Sequence, residues 1–407
     1  MIRISSENKQ QLKTACDKII RSYVDARDET RIPGVVAAVT TKDGVIYETS
    51  QGYANIATEE SIAEDTIFCF YSATKIITSV ACMQLYERGL LDLDAPAEQY
   101  HAEISKIQVL VDFDSKGDPI TKPPNTKMTV RMMLSHTAGF SYPFFDIGHL
   151  FVMKALKSVP IDDVISDIPL VCEPGSKWAY GNGIDWAGKV VESISGLRLG
   201  DYLAQNVFQP LGMDSCTFCI TDAAQKQRLM AVYQRIPGKK DLGLSHVKPP
   251  LRPNTDMGGQ GVFGTVGDFT KFIRMFLNGG KSDSGAHILH ADTIRYGAAN
   301  QLPKNFEITT LETLLPHIAN QIDFFPELPK SHSLFAMRTD AHAATGRGPG
   351  TLMWAGLANL FYWIDMERGV GGFWATQILP FGDAPCLECF FQMETEVYKA
   401  LESGAKL

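Results

Sequence analysis

The sequence lacks the long apolar runs, basic clusters and leader segments that mark several classes of protein. No run approaches the ~18 apolar residues that a bilayer span requires, so we expect no membrane segment. Lysine and arginine are dispersed and the formal charge is −8, which argues against a nucleic-acid or anionic-lipid surface. The first nine residues contain no apolar core of a secretory signal. These absences predict a cytoplasmic protein with no nucleic-acid or membrane partner.

Cysteine is sparse, and its pattern does not favour disulfides or a metal. The eight cysteines are scattered among mostly apolar neighbours, which predicts free buried thiols in a chain without a secretory signal. Two Cys-x-x-Cys pairs occur, Cys216/Cys219 and Cys386/Cys389. A zinc site would need these pairs to converge, or histidines at ligand spacing beside them. We therefore expect no metal ion, and no motif calls for an organic cofactor.

The nucleophile motif Gly-x-Ser-x-Gly is also absent, which disfavours an α/β-hydrolase. A different serine pattern is present instead, because Ser72 and Lys75 stand three residues apart at the predicted start of an apolar helix. The partial positive charge of a helix N-terminus favours a serine alkoxide and a neutral lysine amine, so the pair could act as nucleophile and base. The alternative is that Ser72 caps the helix and Lys75 is solvated.

A tyrosine or a histidine could complete such a site. Tyr180 and Asn182 follow a turn-rich stretch and precede a predicted helix. A tyrosine held against a cationic lysine gives up its proton more easily, and an asparagine could orient the lysine or a substrate carbonyl. The alternative is a buried turn tyrosine and a helix-capping asparagine. His136, in a probable turn, leaves a Ser–His–Asp arrangement open, although a histidine bonded to the backbone is the simpler interpretation.

A predicted strand at residues 348–357 could supply the backbone N–H of an oxyanion hole. The stretch reads as a strand edge, and Gly356 would let the backbone approach a ligand closely. Ordinary strand packing by Trp354 and a bulge at Gly356 would explain the same residues without a function.

Predicted strands cluster at both ends of the 407-residue chain, at 35–47 and 358–379, and predicted helices fill the middle. This order suits an α+β protein whose antiparallel sheet is built from both termini, with a helical region inserted. We expect a sheet domain formed by residues 1–70 and 285–407, a mainly helical domain at 71–284, and an active site at their interface. Residues 113–127 read as a loop, and 301–335 as a lid or wall over the site.

Taken together, these motifs resemble the class C β-lactamase-like serine hydrolase superfamily, and most of all its family VIII carboxylesterases and fungal polyketide acyltransferases. The resemblance spans residues 40–380 in the family order, and it rests on Ser72-Ala73-Thr74-Lys75, Glu87-Arg88-Gly89-Leu90-Leu91-Asp92-Leu93-Asp94, Leu134-Ser135-His136-Thr137-Ala138-Gly139, Tyr180-Gly181-Asn182, Asp185-Trp186-Ala187-Gly188-Lys189, Pro210-Leu211-Gly212-Met213 and Gly258-Gly259-Gln260-Gly261.

The resemblance implies a β-lactamase/transpeptidase-like fold with Ser72 as the acylated nucleophile. It implies that Lys75 and Tyr180 share the general-base role, that Asn182 supports them, and that the N–H groups of Ser72 and Leu357 form the oxyanion hole. One position departs from the pattern, because Trp354 stands where β-lactamases carry the lysine of Lys-Thr-Gly. An indole has no charge for a β-lactam carboxylate, and it suits an apolar acyl or alcohol group instead.

We therefore predict a serine esterase or transesterase that acts on a small-molecule ester or acyl donor through an acyl-enzyme. Three alternatives remain open at this stage: an acyltransferase of secondary metabolism that moves an acyl chain to an alcohol, a β-lactamase, and a non-catalytic binding protein on the same scaffold.

Overall fold

A computed structural model describes residues 4–155, 168–239 and 241–404 of the chain. Its strands are β1 (Gly34–Thr41), β2 (Gly44–Asn55), β3 (Glu60–Ser61), β4 (Phe68–Cys69), β5 (Val109–Phe113), β6 (Pro119–Lys122), β7 (Tyr233–Arg235), β8 (Leu242–Leu244), β9 (Phe263–Gly264), β10 (Lys330–His332), β11 (Met337–Thr339), β12 (Leu352–Gly356), β13 (Leu360–Asp365), β14 (Val370–Ala375) and β15 (Ile378–Leu379).

The α-helices in the same ranges alternate with these strands. They are α1 (Ser6–Val24), α2 (Thr74–Glu87), α3 (Val130–Leu134), α4 (Ile147–Ala155), α5 (Gly183–Ser195), α6 (Leu199–Leu203), α7 (Gln209–Leu211), α8 (Ala223–Gln227), α9 (Val266–Leu277), α10 (Ala291–Ala298) and α11 (Ala384–Gly404). Short 3₁₀ segments cover Tyr71–Ala73, Ala97–Gln99 and Ala102–Lys106, and a π-helical turn covers Ala204–Phe208.

The main sheet has eight antiparallel strands in the order β10-β11-β12-β13-β14-β1-β2-β3. The two ends of the chain meet where β1 pairs with β14, with Val36 opposite Ala375. Helices α1 and α11 pack together on one side, and α9 packs against β1 and β14. Because helices cover the sheet, β1 is buried along its whole length, and Val, Ala and Thr occupy it without a polar face. The α+β prediction, with a sheet built from both termini, is confirmed.

Several local predictions need correction. Residues 113–127 are not simply a loop, because β5 and β6 form a hairpin whose turn is held by the Asp114 carboxylate, which accepts from the N–H groups of Lys116 and Asp118. Strand β12 is not at a sheet edge, since it lies between β11 and β13. The strand predicted through 379 ends at Ala375, and β15 pairs with β7 in a separate sheet.

The division into a sheet domain (1–70 and 285–407) and a helical domain (71–284) stays a proposal. Helix α2, entirely within the second segment, packs against α5 and α6, as a helical unit requires. Helix α9 also falls within residues 71–284, but it packs on the sheet. Its Phe269 ring stacks on Phe373 at a distance of 4.3 Å between ring centroids. Within the described residues, no helix is both long and apolar enough to cross a membrane.

Candidate active site

Ser72 lies in the 3₁₀ turn that leads into α2, one turn before the α-helix itself. The approach to it is anchored, because the Phe70 N–H donates to the Val262 carbonyl at 2.8 Å. Tyr71 has a φ of 44°, a left-handed conformation that is costly for a bulky residue. Ser72 makes no side-chain cap, and the capping position is Ala73. The serine is therefore held on a strained turn, as functional residues often are, and the capping alternative is wrong.

Lys75 is 2% exposed, which rules out the alternative of a solvated first-turn lysine. Its Nζ donates to three oxygens: Ser72 Oγ at 3.1 Å, the Tyr142 hydroxyl at 2.9 Å and the Gly259 carbonyl at 2.8 Å. An ammonium group has three N–H donors, so this arrangement satisfies all of them. The amine is consequently fixed beside the serine hydroxyl by one contact from its own turn and two from distant segments.

Asp185 supports this arrangement indirectly, through its hydrogen bond to Gly259. It lies in the first turn of α5, is 1% exposed, and accepts from the Gly259 N–H at 2.7 Å. Burial raises the pKa of the Asp185 carboxyl above its usual value, while the nearby Lys75 cation opposes that rise. Asp185 therefore holds the Gly259 peptide whose carbonyl receives Lys75, and it places an acidic group close to the lysine without touching it.

Tyr180 lies in the same cluster, but its hydroxyl is directed to tryptophan. Trp354 Nε1 donates to the Tyr180 hydroxyl at 3.1 Å, and Lys75 Nζ lies 5.0 Å from the centre of the Tyr180 ring. Among the hydrogen bonds of the described residues, the phenol bonded to Lys75 is that of Tyr142. The structure thus brings Tyr180 and Trp354 to the predicted site, with Tyr180 in ring contact with the lysine.

Tyr142 is the residue of this cluster that the sequence interpretation missed. Burial raises the pKa of its phenol well above the usual range, and the Tyr180 and Asp185 groups add to the effect. Tyr142 is therefore a neutral phenol whose oxygen accepts from Lys75. Its segment, Ser141-Tyr142-Pro143, has no helical or strand periodicity and matches none of the motifs above, so only its position two residues after the Gly139-Phe140 turn could have drawn attention to it.

Asn182 and His136 are close to the cluster but do not join its hydrogen bonds. Asn182 occupies the N-cap position of α5 without a side-chain cap bond, and its buried Oδ1 has no protein partner. The His136 ring packs on Tyr180 at 4.8 Å between centroids. Burial, with His332 and Lys75, holds the pKa of His136 well below its usual value. Neither side chain is hydrogen-bonded to Ser72 or Lys75 in the part of the chain that the structure describes.

A small cleft of about 30 Å³ opens beside Ser72. Six of its lining side chains are aromatic and none carries a formal charge: Ser72, Phe144, Phe145, Tyr180, Leu311, Phe324, Trp354, Ala355, Leu357 and Phe381. Leu311 and Phe324 come from the stretch 301–335, which was expected to form a lid or wall. Such a surface suits an apolar, uncharged ligand.

Comparison with known protein families matches residues 17–386 to the beta-lactamase family. The chain belongs to the beta-lactamase family. It is 29% identical to a lovastatin esterase of Penicillium rubens (88% of this chain, 92% of the relative) and 30% identical to the acyltransferase calJ of Penicillium decumbens (90% and 93%). These matches confirm the resemblance that the motifs indicated.

Two solved structures have the same fold as this chain. A simvastatin synthase from Aspergillus terreus, in a mutant form, superposes with a TM-score of 0.84 at 26% identity over 96% of both chains. The hydrolase EstCE1 superposes with a TM-score of 0.74 at 21% identity, over 97% of this chain and all of that one, and this second likeness speaks for the fold alone. The β-lactamase/transpeptidase-like prediction is thereby confirmed.

Gly356 sits where the sheet meets the turn that carries Ser72. A Cβ at this position would lie 2.4 Å from the Phe70 carbonyl oxygen, closer than real contacts allow. The end of β12 therefore passes directly against the backbone that precedes Ser72, and the next residue, Leu357, lines the cleft. The close approach, rather than a bulge, explains the glycine.

We predict that Gly356→Ala lowers the free energy of unfolding by about 1–3 kcal/mol, because the added methyl group overpacks two backbones that cannot separate easily. Urea denaturation measures the change. Gly267→Ala is the matched control, since a Cβ there would meet only Thr265 Oγ1 at 3.8 Å, so we expect stability equal to or slightly above wild type. Equal stability of the Gly356 variant and the control would contradict the tight contact.

Proposed function

We propose that the protein is a serine esterase or transesterase that forms an acyl-enzyme on Ser72. The observation that carries the proposal is the hydrogen bond between Lys75 Nζ and Ser72 Oγ in a buried site that opens on an uncharged aromatic cleft. The family and its relatives, named as an esterase and an acyltransferase, support the same reaction class. Neither step of this chemistry requires a metal or an organic cofactor.

In the first step, Ser72 Oγ forms a bond to the ester carbonyl carbon and its proton passes to the Tyr180 oxygen, which reacts as the phenolate next to the Lys75 ammonium group. The tetrahedral oxygen is received by the N–H groups of Ser72 and Leu357, which the contact at Gly356 keeps near each other. The bond from carbon to the alcohol oxygen then breaks, and the same pair returns a proton to the alkoxide. Water or a second alcohol repeats these steps in reverse order and releases the acyl group.

The two tyrosines have separate roles in this proposal. Tyr180 lines the cleft where the ester must lie, so it is the group that can exchange a proton with the alcohol oxygen. The N–H that Trp354 donates to its hydroxyl stabilises the negative charge that develops there during that exchange. Tyr142 accepts from Lys75 and does not line the cleft, so it is a positioning residue for the amine. Asn182 stays the proposed substrate-binding residue beside them, with a buried Oδ1 that has no protein partner and a side chain that does not line the cleft.

Trp354 favours an esterase or acyltransferase over a β-lactamase. Among the described residues, no cationic side chain lines the cleft to bind a carboxylate, whereas Phe324 and Trp354 offer ring surface at 6.3 Å between centroids. The proposed substrate is therefore a neutral ester of an apolar alcohol. All three proposed catalytic groups, Ser72, Lys75 and Tyr180, retain their reactive atoms in one cluster, which argues against a non-catalytic binding protein.

We predict that a fluorophosphonate probe labels the protein once and that Ser72→Ala abolishes both labelling and hydrolysis of p-nitrophenyl butanoate. Intact-mass analysis detects the adduct. Ser176→Ala, at an exposed serine bonded to the Glu173 carbonyl, should behave as wild type and controls for non-specific labelling. Ester hydrolysis by the Ser72→Ala protein at the wild-type rate would refute the nucleophile assignment.

We predict that Tyr180→Phe lowers the acylation rate by about 10²–10⁴-fold, the loss typical of a general acid–base group. Tyr142→Phe should cost about 10–100-fold, because one hydrogen bond to a charged amine is lost while the proton route remains. Stopped-flow acylation and its pH profile provide the comparison. Tyr362→Phe is the control, since that buried hydroxyl has no protein partner. If Tyr142→Phe lowered the acylation rate more than Tyr180→Phe, Tyr142 would be the acid–base group and Tyr180 the positioning residue.

Acyl transfer is the second candidate, and the apolar cleft favours it because a hydrophobic alcohol binds there better than water does. We predict that an added apolar alcohol, such as cyclohexanol, intercepts the acyl-enzyme and forms its ester in preference to free acid. Chromatography of the products at constant p-nitrophenyl release measures the partition. Formation of the free acid alone at every alcohol concentration would leave hydrolysis as the activity.

A further inference from the structure

Arg347 is a fully buried cation a few residues before β12. Its side chain and that of its partner, Glu394 in α11, are both 0% exposed. Arg347 Nε and Nη2 donate to Glu394 Oε1 at 2.9 and 2.5 Å. Burial raises the pKa of the Glu394 carboxyl, and the Arg347 cation opposes that rise. Because apolar side chains would fill the same space without desolvating two charges, the ion pair calls for a more specific role than filling the core.

Two further contacts of Arg347 reach the residues next to two walls of the aromatic cleft. Its guanidinium carbon lies 4.7 Å from the centre of the Phe325 ring, and its Nη1 donates to Met353 Sδ at 2.9 Å. Phe324 precedes Phe325, Trp354 follows Met353, and both of these neighbours line the cleft. Successive side chains of a strand point to opposite faces, so Met353 faces away from the side that Trp354 occupies. Arg347 therefore lies behind the cleft and contacts one neighbour of each wall.

The backbone of Phe325 shows that its position is imposed by the surrounding packing. Its φ is 55°, a left-handed conformation that is costly for a bulky aromatic residue and persists only where neighbouring contacts hold it. The ring packs on Phe391 at 5.2 Å between centroids, in addition to its contact with Arg347. With Phe325 held in this way, the preceding side chain, Phe324, lies against Trp354 at 6.3 Å between ring centroids.

The cleft is narrow enough for the position of one ring to decide what enters it. A volume of about 30 Å³ has room for only about two water molecules. Tyr180 lines this cleft, so an alcohol oxygen that exchanges a proton with it has to lie there. Trp354 is fixed on the central strand β12, whereas Phe324 lies outside the helices and strands. Phe324 is therefore the wall whose position depends most on the side chains packed behind it.

We propose that Arg347 is a positioning residue that sets the width of the cleft, and with it the size of the alcohol group that the site accepts, by fixing Phe325 and Met353 from behind. The assignment rests on the proposed acyl-enzyme function and adds a determinant of substrate size to it. A planar guanidinium can lie on a ring and donate hydrogen bonds at the same time, which an ammonium group cannot do. A lysine at this position would keep a charge for Glu394 but lose the other two contacts, so Phe324 would move outward and admit a larger alcohol.

The test compares two acetate esters that differ in the size of the alcohol. 1-Naphthyl acetate and phenyl acetate release alcohols of similar acidity and leave the same acetyl group on Ser72, so the ratio of their kcat/KM values reports the fit of the alcohol. We expect Arg347→Lys to raise the naphthyl-to-phenyl ratio at least fivefold, since one methylene group in a tight pocket already changes kcat/KM by about 10–200-fold. Phe325→Leu keeps the ion pair and removes the ring beneath the guanidinium, so it should raise the ratio as well.

Arg274→Lys is the matched control. Arg274 is also buried, and its Nε and Nη2 donate to the Asp283 carboxylate at 2.7 and 2.5 Å, but it lies in α9 and does not line the cleft. This variant should lose stability and keep the wild-type ratio, which separates cleft width from a general loss of stability. An unchanged ratio in Arg347→Lys, or an equal change in the control, would overturn the assignment. If Arg347→Lys does not fold, an unchanged ratio in Phe325→Leu would do so.

Binding to the Ser72→Ala protein separates this proposal from the function on which it rests. That protein cannot be acylated at Ser72, so calorimetric titration with the two esters measures their Kd values alone. We expect Arg347→Lys in this background to raise the affinity for 1-naphthyl acetate relative to phenyl acetate at least fivefold. Such a rise, together with a wild-type protein that neither ester acylates, would support the assignment and refute the function. Rapid acylation of wild type with unchanged ratios in both measurements would refute the assignment alone.

Discussion

The three hydrogen bonds of the buried Lys75 amine are the constraint on which the site depends. One joins it to Ser72 on its own turn, and the other two reach Tyr142 and Gly259, which lie 67 and 184 residues further along the chain. A buried amine that lost these acceptors would leave donors unpaired at a cost of about 1–3 kcal/mol each. The loop after α3 and the glycine-rich segment before β9 must therefore close on α2 for the amine to be satisfied. The site is therefore complete only when these distant segments pack together.

The large sheet contributes to this site through one point of contact. Strand β12 is central, buried and held on both sides by β11 and β13, so its end cannot shift freely. At that end Gly356 lets the backbone approach Phe70, and the next residue, Leu357, lines the aromatic cleft. The rigid sheet thus positions the backbone next to Ser72, while the 3₁₀ turn and α2 position the Ser72 and Lys75 side chains.

Sequence patterns predicted the local features of this arrangement and missed the contacts between residues far apart along the chain. The pair Ser72 and Lys75 was recognisable because three-residue spacing near a helix start is a local signal, and the sheet was recognisable because strand patterns occur at both ends. Tyr142 was not, since its role depends on how an unpatterned loop folds over α2. The contact of Trp354 with Tyr180 spans 174 residues, and no local pattern encodes it. The β5–β6 hairpin was missed because its prolines and aspartates resemble an ordinary loop.

Trp354 connects the chemistry of the site to its specificity. A lysine at this position would offer a charge to an anionic substrate but would sit unpaired in an aromatic cleft whenever the substrate was neutral, at a large desolvation cost. The indole avoids that cost, because its N–H is satisfied by the Tyr180 hydroxyl and its ring completes the apolar wall. The same contact orients the Tyr180 ring beside Lys75. Because tryptophan occupies this position, the site has no lysine there that could select carboxylates. Trp354 therefore holds the Tyr180 hydroxyl and supports the proposed preference for neutral esters.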